Sequence, residues 1–151
     1  MRSLSRKIRK LYALPGSERR LLVAAWFTWC RVALELAFRS PRTILADQGS
    51  AGAVSLSDRV PSEEEELGSF ILRSAELVEL AGRYAPVADS CLRRSLVLRR
   101  LLSRRGIETV LHLGVARNGE DLDAHAWLEW AGRPVTGAVE NRGYVPLLPN
   151  E

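Results

Sequence analysis

Apolar residues dominate the chain from Leu21 to Phe38 with almost no polar face between them, broken by Arg31 and Glu35. The uninterrupted part, Leu21 to Cys30, predicts a helix apolar around most of its circumference, packed on more than one side. Ser17 and Glu18 suit its start, as N-cap and acidic first turn, and Ser40-Pro41 ends it. From about Asp47 to Pro61, glycines and serines replace the apolar pattern and read as a loop. A second helix is announced by Ser62-Glu63-Glu64-Glu65, a capping box, and continued by Leu67, Phe70, Ile71, Ser74, Leu77, Val78 and Ala81 at helical spacing. Asp89 and Ser90 can each cap a third helix, from about Cys91 to Arg104, closed by Gly106.

The period then changes. Ile107 to Val115 alternates and predicts a strand, Arg117-Asn118-Gly119-Glu120 a turn, and Leu122 to Trp130 a second strand. Ala131-Gly132 turns into a third, Arg133 to Thr136, and Tyr144 to Leu148 suggests a fourth. Helices first and an antiparallel meander afterwards make an α+β layout, with the Cys91 helix packed on a small sheet. At 151 residues the chain fits a single domain, residues 1–61 forming a helical N-terminal part with its loop and residues 62–151 the core.

Charge changes this picture little. The net charge of +4 owes much to Arg2, Arg6, Lys7, Arg9 and Lys10, a cluster that a solvated terminus explains. Anionic lipid or an acidic peptide could also meet it, whereas nucleic-acid binding has no groove-reading motif behind it. The apolar run is too short for a stable membrane span, which needs about 20 apolar residues, and no small-residue cleavage site follows it. Two cysteines do not make a disulfide framework, so a reducing, cytoplasmic location is expected. Cys30, inside the apolar run, reads as a core residue. No close Cys or His pair has finger-like spacing, so neither a metal nor a cofactor is expected.

Cys91 stands apart. A thiol becomes a nucleophile near neutral pH when its pKa is lowered and a base is within reach. The start of a helix supplies the first through its unpaired N–H groups and partial positive charge. His125, in the second strand, is the candidate base, and His112 reads as a structural strand residue. The backbone N–H of Cys91 is the natural donor to an oxyanion.

Cys91-Leu-Arg-Arg-Ser-Leu, Leu113-Gly-Val, Ala124-His-Ala-Trp-Leu-Glu and Gly132-Arg-Pro-Val, in this order, resemble the leader peptidases of lasso-peptide biosynthesis. These are cysteine proteases of the transglutaminase-like, papain-related group. The match is close from about Asp89 to Val135 and looser in the helix that begins near Leu14-Pro15-Gly16-Ser17. The resemblance implies a protease that cuts the leader from a ribosomally made precursor peptide, with Cys91 as nucleophile and His125 as general base and acid. It implies as partners the precursor, a separate leader-recognition protein (the chain leaves no room for a fused one) and an ATP-dependent cyclase acting next.

The family commonly places an Asp on the strand after the histidine. Here that region reads Pro134-Val-Thr-Gly-Ala-Val-Glu-Asn141, so Glu140 is the first candidate to orient His125, ahead of Asn141 and Thr136. Glu129 shares a strand face with His125 but lies about 13 Å along it, and Asp123 about 7 Å. The same residues would serve a transglutaminase-like acyl transferase. A non-catalytic peptide-binding member of the fold is the other alternative.

Overall fold

The computed structural model describes residues 14–39, 61–118, 121–136 and 144–146. Three helices, α1 (Gly16–Phe38), α2 (Pro61–Gly82) and α3 (Cys91–Ser103), precede strands β1 (Val110–Asn118), β2 (Asp121–Trp130), β3 (Arg133–Pro134) and β4 (Val145–Pro146). The fold is α+β, helices on a small antiparallel sheet, as the change of period requires. The expected loop from Asp47 falls outside the described residues, apart from its last residue, Pro61, which opens α2.

Helix starts differ in detail from the sequence reading. α1 begins at Gly16 behind Pro15, with no side-chain cap, so Ser17 lies in the first turn. α2 begins at Pro61, whose missing N–H and fixed φ suit the first helical position, which puts Ser62 one residue inside. Ser90 rather than Asp89 caps α3, its hydroxyl accepting from the Arg93 N–H at 3.3 Å. The end of α3 is closed by Gly106, at φ +70°, and by the Ile107 N–H donating to the Leu102 carbonyl at 3.1 Å.

α1 packs on α2 and α3 through Leu21, Leu22, Ala25, Trp29 and Val32, which join Ile71, Leu77, Val78, Leu96, Leu98 and Leu102 in one core. Trp29 pins the α1–α2 contact: its indole N–H donates to the buried Val78 carbonyl at 3.1 Å. A Cβ on Gly82 would fall 2.6 Å from the Trp29 ring, so only glycine permits this approach. Glu18 and Glu35, the acidic residues of α1, are drawn to its neighbours, Glu18 to Arg73 at 2.8 Å and Glu35 to Arg100. Cys30 corrects the sequence reading, being only partly buried and outside the core cluster. A helix apolar on every side does not reveal from sequence which side it will bury.

The sheet order is β3-β2-β1-β4, so the fourth strand returns to pair with β1 instead of extending the meander. Ala131 and Gly132, at φ 51° and 73°, turn β2 into β3. Among the described residues β3 pairs with Glu129 and Trp130, and β4 with Gly114 and Val115. Strand alternation sets the two faces. Leu111, Leu128 and Trp130 meet the helical core on one face, while His112, Gly114, His125, Trp127 and Glu129 share the other.

Candidate active site

The shortness of β3 leaves the outer edge of β2 without a strand neighbour, among the described residues, beyond Glu129. The Leu128 N–H and carbonyl both point to this edge, where they meet the Thr136 hydroxyl at 2.8 Å and the Val135 N–H at 2.8 Å. Two residues back along the strand, the Ala126 carbonyl points the same way, because peptide groups alternate sides. There it accepts from the buried Ser95 hydroxyl of α3 at 3.3 Å. Thr136 Oγ1 lies 3.1 Å from Ser95 Oγ, so one circuit runs from the Leu128 N–H through both hydroxyls to the Ala126 carbonyl. Thr136 thus holds α3 against the strand, and its hydroxyl is engaged there rather than in orienting an imidazole.

This clamp ties the Cys91 helix to the His125 strand. The far end of α3 leads through Ile107 to Val110, which pairs with Glu129, so the start of α3 points the other way along β2. Cys91 is one helical turn before Ser95, about 6 Å along the axis, and two strand residues span about 6.6 Å. The Ser95–Ala126 contact thus lies one helical turn from Cys91 and one residue along β2 from His125. The sequence had no means of placing this contact, since Ser95 and Ala126 are 31 residues apart.

The first turn of α3 contains no acidic residue. Asp89, just before it, is bound by the Arg94 guanidinium at 2.8 and 3.0 Å. Hydrogen bonding to Asp89 first, with smaller contributions that include Cys91, raises the Arg94 guanidinium above its usual range. The Arg93 and Arg94 N–H groups are taken by Ser90, through its hydroxyl and its carbonyl at 3.0 Å. The N–H of Cys91, at the first helical position, lies next to its own sulfur and suits the oxyanion role.

His125 projects on the sheet face opposite the helical core, at the strand whose edge α3 covers, and its Nε2 is buried. Its ring stacks on two others, 5.1 Å from Tyr144 and 6.3 Å from Trp127, with interplanar angles of 25° and 16°, and those two lie 6.2 Å from each other, so the three rings form a cluster. The Tyr144 hydroxyl donates to Asp123 Oδ2 at 2.8 Å, so Asp123, the nearer carboxylate on the strand, holds the ring that flanks the imidazole. Gly114 lies opposite His125 in the β1–β2 register, and a Cβ there would meet Trp127 at 3.0 Å and Tyr144 Cβ at 3.1 Å. The absence of a side chain at Gly114 makes room for the stack.

Glu129 turns to the other histidine. Its Oε2 lies 3.3 Å from His112 Nε2, an ion-pair contact if the imidazole is protonated rather than an aligned hydrogen bond. His112 is buried and stacks on Trp127 at 5.2 Å. Glu140 and Asn141 lie outside the described residues. Tyr144 was the residue that sequence reasoning passed over. Its sole signal was a place at the head of the fourth strand, and only the return of β4 to β1 brings it to His125. Among the described residues no group of three or more His, Cys, Asp or Glu could hold a metal ion.

A cysteine opening a helix that packs on an antiparallel sheet, with a histidine on the strand that helix contacts, is an arrangement suited to thiol acyl transfer. A family model of the transglutaminase-like superfamily matches residues 21–148, and the chain belongs to that superfamily. No curated protein and no solved structure matches it.

Proposed function

We propose that this protein is a cysteine peptidase that removes the leader from a ribosomally synthesised lasso-peptide precursor. The observation that carries the reading is the Ser95–Ala126 clamp, which holds the start of the Cys91 helix against the strand of His125. Superfamily membership supports thiol acyl transfer, and the resemblance of the Cys-Leu, Gly-Val and His-Ala-Trp segments to lasso leader peptidases supports the narrower substrate.

In the proposed reaction His125 takes the Cys91 proton and the thiolate attacks the scissile carbonyl. The Cys91 N–H donates to the resulting oxyanion. The imidazolium then protonates the departing amine, which is the new N-terminus of the core peptide. Water, deprotonated by His125, attacks the thioester, and the leader leaves as a carboxylate with the thiol restored. Glu140 is proposed to orient the imidazole. We further propose that a separate leader-recognition protein delivers the precursor in the cytoplasm and that an ATP-dependent cyclase uses the freed amine.

Mass spectrometry of the precursor incubated with this protein, with and without the recognition protein, tests the reading. Cleavage at one site, stimulated by the partner and reduced at least ~10³-fold in Cys91→Ala, is expected. Cys30→Ala should cleave normally, because its thiol lies on a helix interior away from the sheet. A Cys91→Ala variant that cleaves at the wild-type rate ends the proposal. A product joined to an added amine in place of free leader carboxylate would mark a transglutaminase-like transferase instead.

A further inference from the structure

The outer side of α1 carries an apolar stripe that the fold does not use. Val23, Phe27, Cys30, Leu34 and Phe38 follow at spacings of three or four residues, which puts them on one side of the helix. Val23 is 54% exposed, Phe27 and Leu34 61% each, and Phe38 82%. Trp26 lies at the margin of the stripe, its ring edge-to-face with Phe27 at 5.3 Å and its N–H donating to the Tyr84 carbonyl at 3.2 Å. Contiguous apolar surface of this kind, beyond a few hundred Å², marks an interaction site rather than a tolerated exposure.

The charges around the stripe select its partner. Arg20 and Arg31, eleven residues or about three turns apart, run along its flank, and both are exposed. α1 has two acidic residues: the Glu18 carboxylate is held by Arg73 on the packed side, and Glu35 lies between Arg100 and, at 3.9 Å, Arg31. No acidic residue occurs before Glu18, whereas Arg2, Arg6, Lys7, Arg9 and Lys10 do, with Leu4, Ile8 and Leu11 interleaved among them. A second copy of the chain would bring like charges together across such a contact. A helix ridge of Phe, Leu and Val flanked by arginines, with a Trp at its margin, is the chemistry of a segment lying in the headgroup region of a bilayer.

We infer that the outer face of α1 seats the protein on an anionic membrane surface, lying in the interface without crossing it. α1 is long and apolar enough to span a bilayer, but its other side is the packing face of the core. Spanning would require unpacking Trp29 from α2, whereas surface seating uses only residues already exposed. The inference does not depend on peptidase activity, and its test needs no substrate.

The test is sedimentation of the full chain with vesicles of phosphatidylcholine containing one quarter phosphatidylglycerol, beside vesicles of phosphatidylcholine alone. Binding to the anionic vesicles at least ~10-fold tighter is expected, since each basic residue near the surface contributes about fivefold. It should weaken as added salt shortens the screening length from about 10 Å at 0.1 M. Trp26 fluorescence should shift to the blue on binding, and the shift should vanish in Trp26→Phe. Phe27→Ser/Phe38→Ser, whose side chains lie outside the core, should keep the circular-dichroism spectrum and lose binding by at least ~10-fold. Failure of the wild type to bind anionic vesicles overturns the inference, as does equal binding by the double variant. A wild-type dimer that the double variant dissociates, or a recognition protein that only the wild type captures, each without vesicle binding, would assign the stripe to a protein contact and overturn it as well.

Discussion

His112 and His125 stand on the same face of one sheet, and both stack on Trp127, at 5.2 and 6.3 Å. They differ in what the sheet does around them. At the His112 end, β3 covers the edge of β2 and Glu129 approaches the imidazole from the same strand. At the His125 end no strand pairs with this edge among the described residues, and Ser95 of α3 meets it at Ala126 instead. The same side chain is thus walled into the sheet at one end and set next to the strand edge that α3 contacts at the other.

The largest test of this contrast exchanges the two histidines one at a time. His125→Asn should lower kcat/KM for precursor cleavage by at least ~10³-fold with an almost unchanged Tm, because it removes the proton carrier from a partly open site. His112→Asn should act the other way, lowering Tm through the loss of a buried stacked ring while kcat changes less than about threefold. Comparable activity losses in both would mean that the two ends of the sheet are not distinct.

Two glycines sharpen the same comparison at the level of packing. Gly82→Ala drives a Cβ into Trp29 on the helical side and should destabilise by about 1–3 kcal/mol with normal turnover per folded molecule. Gly114→Ala forces Trp127 and Tyr144 apart beside His125, so kcat should fall along with stability. Thermal melts and active-site titration separate the two outcomes.

Smaller effects are expected from the flank of the imidazole. Tyr144→Phe keeps the stacked ring and removes its bond to Asp123, which should lower kcat by roughly two- to tenfold, about one hydrogen bond's worth. Asp123→Ala should match it and not add to it, since both break one contact. Glu140→Ala should cost more than either if Glu140 is the orienting carboxylate. A non-additive Tyr144–Asp123 pair with a normal Glu140→Ala would move the orienting role to this pair.

The smallest effect lies far from the site. The Arg100 guanidinium holds Glu35 below the ordinary carboxylate value of 4.5, against a lesser opposing effect of burial. A depressed carboxyl contributes stability above its unfolded pKa and loses it as pH falls through the lower folded value. Glu35→Gln should therefore lower Tm at pH 7, by an amount equivalent to about 0.5–1 kcal/mol. The difference should shrink below about pH 4.5 and vanish near pH 2, with cleavage at neutral pH unaffected.

Much of this molecule is legible in its sequence because the relevant physics is local. Ser90 before Cys91 and Gly106 past the last turn bound α3 through bonds within a few residues. The change of period after Ile107 and the Ala131-Gly132 turn announce the sheet for the same reason, although β1 begins three residues later, at Val110. Cys91 and His125 stand out by residue type and setting alone. What the sequence could not contain is decided by contacts over long separations. Which side of α1 is buried depends on α2 and α3, because an evenly apolar helix has no preferred face until partners choose one. Tyr144 joins His125 only because β4 crosses back to β1. α3 reaches the His125 strand through the Ser95 hydroxyl, which finds an Ala126 carbonyl that no strand neighbour takes among the described residues. Edge hydrogen bonds and return crossings carry no periodic signature along the chain, so tertiary structure alone fixes them.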